Sequence, residues 1–215
     1  MRLREIDLDA PDAPRELQVR FRRLIRGAAA LYSRCLPPME VAEGWKVLVE
    51  CVPVVSRTDV RDLLGVLTVQ RAFDVEAFIQ AALGERATLA TAELHEGALE
   101  VARQLGWPTA PFDEALRAVV ERGYTNTWEQ GRPRWSKDRK HQARLLCRHD
   151  EDAFSAWIVV SDRGGDELLR ERVLYEIPDE FVFVPKLGVL VWTSNTEITL
   201  LNRRGEPVTS AHLPA

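Results

Sequence analysis

The chain has 215 residues, 46% of them hydrophobic, with 29 Lys+Arg against 33 Asp+Glu. That is ample length for a buried core, and the apolar content is too high for a disordered protein. A net charge of -4 gives no reason to expect a general nucleic-acid binder, and no apolar run approaches the ~18 residues that span a membrane. Met1–Asp7 holds no apolar stretch of the kind that opens a secretory signal, and Cys35, Cys51 and Cys147 are an odd, widely spaced set. Reduced thiols in a cytoplasmic protein are expected from both features. Of the 29 basic residues 25 are Arg, the mark of a GC-rich, bacterial genome rather than of a binding site.

In chain order, residues 1–8 alternate as a short strand does. Asp12-Ala13-Pro14 resembles a helix start, and Leu17, Phe21, Leu24, Ile25 and Ala28 form a helical stripe that Pro37-Pro38 must end. Gly27 weakens this helix, which leaves a strand over 22–28 as the alternative. Trp45–Val52 reads as a strand with Trp45, Val47, Val49 and Cys51 on one face, and Val60–Val69 as another. A hairpin turning through Ser56–Asp59 is the simplest join.

Asp74 can cap a short helix over Val75–Leu83, with Gly84 after it. Leu94, Ala98, Val101 and Leu105 keep helical spacing up to Gly106. Phe112, Ala115, Leu116, Val119 and Val120 make the best stripe in the chain, opened by Pro111 and closed by Gly123. From residue 140 the helix signals vanish. Ala143–Arg148, Phe154–Ser161, Leu168–Tyr175, Phe181–Val184, Gly188–Thr193 and Ile198–Asn202 read as strands of an antiparallel meander. The expected class is α+β in one cooperative domain: mixed strands and helix over 1–73, a helical layer over 74–123 and an antiparallel sheet over 140–205.

Signatures of chemistry are absent from the sequence. No phosphate-cradling glycine motif occurs, no Cys-x-x-Cys pair, and no Gly-x-Ser-x-Gly elbow. His95-Glu96 lacks the second histidine one helical turn on, since Leu99 stands there. No cofactor and no metal are expected. His141, Cys147 and His149 leave one enzymatic alternative open, because Cys147 and His149 share a face on a strand and could make a thiolate–imidazole pair.

Charge layout says more. Residues 132–148 carry seven positive side chains (Arg132, Arg134, Lys137, Arg139, Lys140, Arg144, Arg148) and one negative, Asp138, beside Trp128 and Trp135. Such a stretch can hold phosphates and stack bases, so a nucleic-acid-associated regulator is a second alternative. The acidic balance of the whole chain argues for weak nucleic-acid binding at most. Residues 72–121 carry nine acidic residues and three Arg. Within them Glu93, Glu96 and Glu100 share one helical face, a stripe able to enter a basic cleft of a partner. Tyr124, Trp128, Arg132, Arg134 and Trp135 lie in what reads as a loop and supply the residue types that anchor interfaces.

Phe73-Asp74-x-x-x-Phe78 opening a helical middle, then Tyr124-Thr125-Asn126-Thr127-Trp128 and a closing meander, gives a layout over roughly residues 45–205 that resembles bacterial immunity proteins. Those are cytosolic proteins that neutralise polymorphic or contact-delivered toxins. The resemblance implies a non-enzymatic protein without cofactor, whose cognate toxin is a tightly bound protein partner. It carries no functional residue over to this chain.

Overall fold

The computed structural model describes residues 1–214 and has the α+β class. Residues group into two compact units, Met1–Asn126 and the remainder from Thr127 onward, each with its own buried apolar cluster. The sequence places its internal boundaries elsewhere, at 73, 123 and 140.

In the first unit, strand β1 (Arg2–Leu3) pairs with β3 (Met39–Glu40). The main sheet has the order β2-β4-β6-β5, from β2 (Glu5–Asp9), β4 (Lys46–Val52), β6 (Val66–Ala72) and β5 (Arg61–Leu63). Helix α1 (Arg15–Cys35) starts after Pro14 and settles the helix-or-strand question over 22–28 in favour of helix. It connects β2 to β4, which run parallel with Ile6 opposite Val47. The hairpin expected between the 45–52 and 60–69 strands is not formed. Strand β6 lies parallel to β4, with Val47 opposite Leu67, and only the short β5 turns back on β6 through Leu64-Gly65. A parallel neighbour needs a return path, and residues 53–63 provide it by passing to the far edge of β6.

One face of this sheet carries Ile6, Leu8, Val47, Val49, Cys51, Leu67 and Val69, all buried. Helix α3 (Leu83–Leu105) packs on that face together with α1. Gly97 lets the helix approach the sheet closely, since an added Cβ would stand 2.2 Å from Val49 Cγ2. The other face is polar and half-buried. Lys46 Nζ there bonds Glu5 (2.5 Å) and Asp7 (2.8 Å), and Arg57 bonds Glu50 and Thr68.

Helix α2 (Val75–Gln80) is capped by Asp74, whose carboxylate accepts from the Ala77 N–H. It ends three residues earlier than the sequence predicts, and Gly84 falls inside the first turn of α3 instead of stopping a helix. Gly106 ends α3 in the left-handed conformation (φ 68°), as glycine permits. Helix α4 (Ala110–Glu121) has Pro111 in its first turn. Phe112, Ala115 and Val119 are buried against α1 and α3, so α4 needs no cover from the C-terminal strands.

The second unit begins with β7 (Thr127–Trp135), a strand where the sequence reads a loop. The remaining strands are β8 (His141–His149), β9 (Phe154–Asp162) and β10 (Glu167–Glu176), and the sheet order is β10-β9-β8-β7, all antiparallel. The closing meander is a separate three-stranded sheet: β11 (Leu190–Trp192), β12 (Glu197–Leu201) and β13 (Pro207–His212). Phe181–Val184, predicted as a strand, is instead a turn of helix, α5 (Glu180–Phe183), started by Asp179 accepting from the Phe181 N–H. Leu145, Phe154, Ile158 and Val160 of the first sheet share one core with Trp192, Ile198 and Leu200 of the second. Phe154 and Phe183 stack within it at 3.8 Å between ring centroids.

Among the described residues no helix is long and apolar enough to cross a membrane.

Candidate functional site

Strand β7 is an edge strand, and its second half is irregular. Pairing with β8 is regular from Thr127–Arg148 to Gln130–Leu145, then shifts before resuming at Arg134–Ala143. Gly131 allows the shift with φ 75°, and Pro133, which cannot donate to a ladder, is tolerated in this bulged segment. As a result Arg132, Pro133, Arg134 and Trp135 are all exposed, Trp135 by 47%. Trp192 Nε1 donates to the Arg134 carbonyl at 2.9 Å and fixes the backbone there.

Charges in this region divide into paired and unpaired. Arg144 bonds Glu129 (2.9 Å), Arg148 bonds Asp150 (2.9 Å), and Lys137 Nζ donates to the Thr193 carbonyl. Asp138 is spent on its own turn, accepting from Ser136 Oγ (2.7 Å) and the Lys140 N–H; the Ser136 bond leads in holding its carboxyl below the usual range. Among the described residues no carboxylate pairs with the side chains of Arg132, Arg134 or Arg139, while the Lys140 charge acts on Asp138. Arg139 takes a left-handed backbone (φ 58°), and its carbonyl accepts from Arg163 Nε at 2.7 Å.

The other residues singled out by the sequence are placed differently. Trp128 is half-buried against Phe154 (6.0 Å), with its Nε1 donating to Gln130. Tyr124 is half-buried on the core of the first unit, at φ 57°. Glu96 is exposed, Glu100 is half-buried and Glu93 only 8% exposed, so the three do not form one solvent-facing stripe. The cause is Arg71 on β6, which bonds Glu93 and reaches Glu100 at 3.4 Å. Burial leads in raising the Glu93 carboxyl, with Glu96 and Glu100 adding to it and Arg71 opposing it, whereas Arg71 is held charged against its own burial by Glu93 and Glu100.

His141 stands away from the other two, while Cys147 and His149 lie two residues apart on one buried face of β8. His141 and Cys147 stand six residues apart on β8, about 20 Å at strand rise, with His141 near Trp192. Cys147 is buried among Leu145, Ala156 and Phe154. His149 packs between Phe154 and Phe183, its Nδ1 3.7 Å from Glu180. Sequence reasoning also passes over a buried contact in the first unit: Tyr32 Oη lies 3.0 Å from His95 Nδ1 and 3.2 Å from the Phe112 carbonyl. Tyr32 lies one turn beyond Ala28, where the stripe read from the sequence stops, and nothing local links it to His95. Among the described residues no three His, Cys, Asp or Glu side chains are grouped to hold a metal ion.

Comparison of the chain with protein-family models, with curated proteins and with solved structures finds no match.

Proposed function

We infer that the chain is a non-enzymatic, cytosolic binding protein that neutralises a protein partner by covering its working surface, as do the immunity proteins that its layout resembles. The observation that carries this reading is the bulged edge of β7. Two arginines without a carboxylate partner stand there beside an exposed tryptophan on a backbone held by the Trp192–Arg134 bond. Arg and Trp are the residue types that dominate binding hot spots, and a fixed backbone lowers the ordering cost of association. Unpaired positive charge favours a partner whose contact surface is acidic and speeds the encounter.

The test is to look directly upstream of the gene for a toxin-like reading frame and to co-express the chain with it. Wild-type protein is expected to restore growth and to co-purify with the toxin in a fixed ratio. A variant with Arg132→Glu, Arg134→Glu and Trp135→Ala is expected to do neither while keeping its circular dichroism. Full protection by that variant overturns the assignment of the surface. A specific oligonucleotide bound below ~10⁻⁷ M at physiological salt overturns the class, since non-specific binding is normally ~10⁻⁴–10⁻⁶ M.

A further inference from the structure

Strands β2, β4 and β6 run parallel, so the chain leaves all three at one edge of the sheet. It does so through residues 10–14, through Pro53 and through Phe73-Asp74. The first and third exits lead into α1 and α2, the second into the 53–60 segment, and a cleft of 610 Å³ lies among them. Its walls are apolar, made by Pro14, Leu17, Pro53, Phe73 and Val75, and Cys51, 1% exposed, lies at its base. Burial raises the Cys51 thiol and keeps it neutral, so the base of the cleft is apolar too.

Asp12, Asp74 and Glu76 also line the cleft, and all three are exposed. No Lys, Arg or His lines it. The start of α1 also faces this edge of the sheet, and a helix start attracts anions. That effect amounts to about half a charge, against three full negative charges. The sign of the cleft is therefore negative. Asp74 spends one oxygen on the Ala77 N–H, while Asp12 and Glu76 accept no hydrogen bond among the described residues.

We propose that this cleft docks a basic side chain of a protein partner, an arginine or lysine whose aliphatic stem lies on Leu17, Phe73 and Val75 and whose charge meets Asp12, Asp74 and Glu76. Apolar walls alone would take any hydrophobic group, and carboxylates alone would take any counterion. The two together select a cation on an apolar stem, which among protein side chains means Arg or Lys. The proposal stands apart from the β7 edge, whose charge is of the opposite sign.

The probe is a capped tripeptide, acetyl-Ala-Arg-Ala-amide, titrated into the ¹⁵N-labelled full chain. Its control replaces Arg by citrulline, which keeps the shape and removes the charge. Expected are saturable shifts centred on the amides of Leu17, Phe73, Val75 and Glu76, with the Arg peptide bound at least tenfold more tightly than the citrulline one. The Asp12→Asn/Glu76→Gln variant spares the Asp74 cap, and there the tenfold preference is expected to vanish with the rest of the spectrum unchanged. Equal binding of the citrulline peptide overturns the proposal, as do shifts scattered over other acidic surfaces. Spermidine binding the cleft more tightly than the Arg peptide overturns it in favour of a polyamine site. None of these outcomes depends on the variants of the β7 edge.

Discussion

The hairpin joining β5 to β6 contains a turn that the fold would not choose. Leu63 pairs with Val66, so the loop is Leu64-Gly65, and both residues have positive φ, 56° and 84°. Two-residue turns of this kind favour Asn-Gly, because glycine has no Cβ and the short polar side chain of asparagine bonds its own backbone in the left-handed region, which leucine cannot do. The penalty for an ordinary side chain there is ~1–2 kcal/mol. Nothing offsets it, because Leu64 is fully exposed and buries no surface. Leu64→Asn is therefore expected to stabilise the protein by about 1 kcal/mol, a rise in Tm of ~2–4 °C for a chain of this size. In urea the midpoint is expected to rise by about 0.3–0.5 M at unchanged slope. Leu64→Ala separates the causes, since alanine keeps the Cβ and the strain while removing the apolar bulk. It is expected to move stability by less than ~0.5 kcal/mol. A loss of stability in Leu64→Asn, or an equal gain in Leu64→Ala, would refute the reasoning.

Gly97→Ala gains ~1 kcal/mol in helix propensity but sets a methyl 2.2 Å from Val49 Cγ2, so a net loss of about 1–3 kcal/mol is expected in denaturant titration, with partial rescue by Val49→Ala. Lys46 is half-buried, yet Asp7 and Glu5 outweigh the burial and raise its pKa above 10.5. A raised lysine contributes stability that is complete below 10.5 and lost as pH rises through the folded value. Stability measured from pH 8 to 12 is thus expected to fall more steeply in wild type than in Lys46→Met, and parallel curves would show that the Glu5–Lys46–Asp7 cluster contributes nothing. Finally, the unit from Thr127 has its own core, so a fragment beginning there is expected to unfold in one sharp thermal transition; a broad, featureless melt would favour the single cooperative domain that the sequence suggests.

The sequence by itself determined the local elements whose ends carry chemistry. Asp74, Gly106 and Pro111 act on their own backbone within a few residues, so the helices near them were legible apart from the stop at Gly84. The α+β class and five of the C-terminal strand segments followed from period and turn residues in the same way. Arg132, Arg134 and Trp135 were recognisable by residue type, though not as part of a strand. Gly131 and Pro133 disguise β7, and its strand character comes from β8, which supplies the ladder partners. Partner choice belonged to the tertiary structure throughout. Alternation marks β4 and β6 as strands but is the same for parallel and antiparallel neighbours, so their pairing was not readable. The cleft exists only because that pairing is parallel and brings residues 12–17, 51–53 and 72–76 to one edge. Glu93, Glu96 and Glu100 share a helix face by arithmetic, yet which part of that face meets solvent was decided by Arg71, 22 residues before Glu93 on another element. Spacing within a helix fixes angles about its own axis, and only packing fixes what stands opposite.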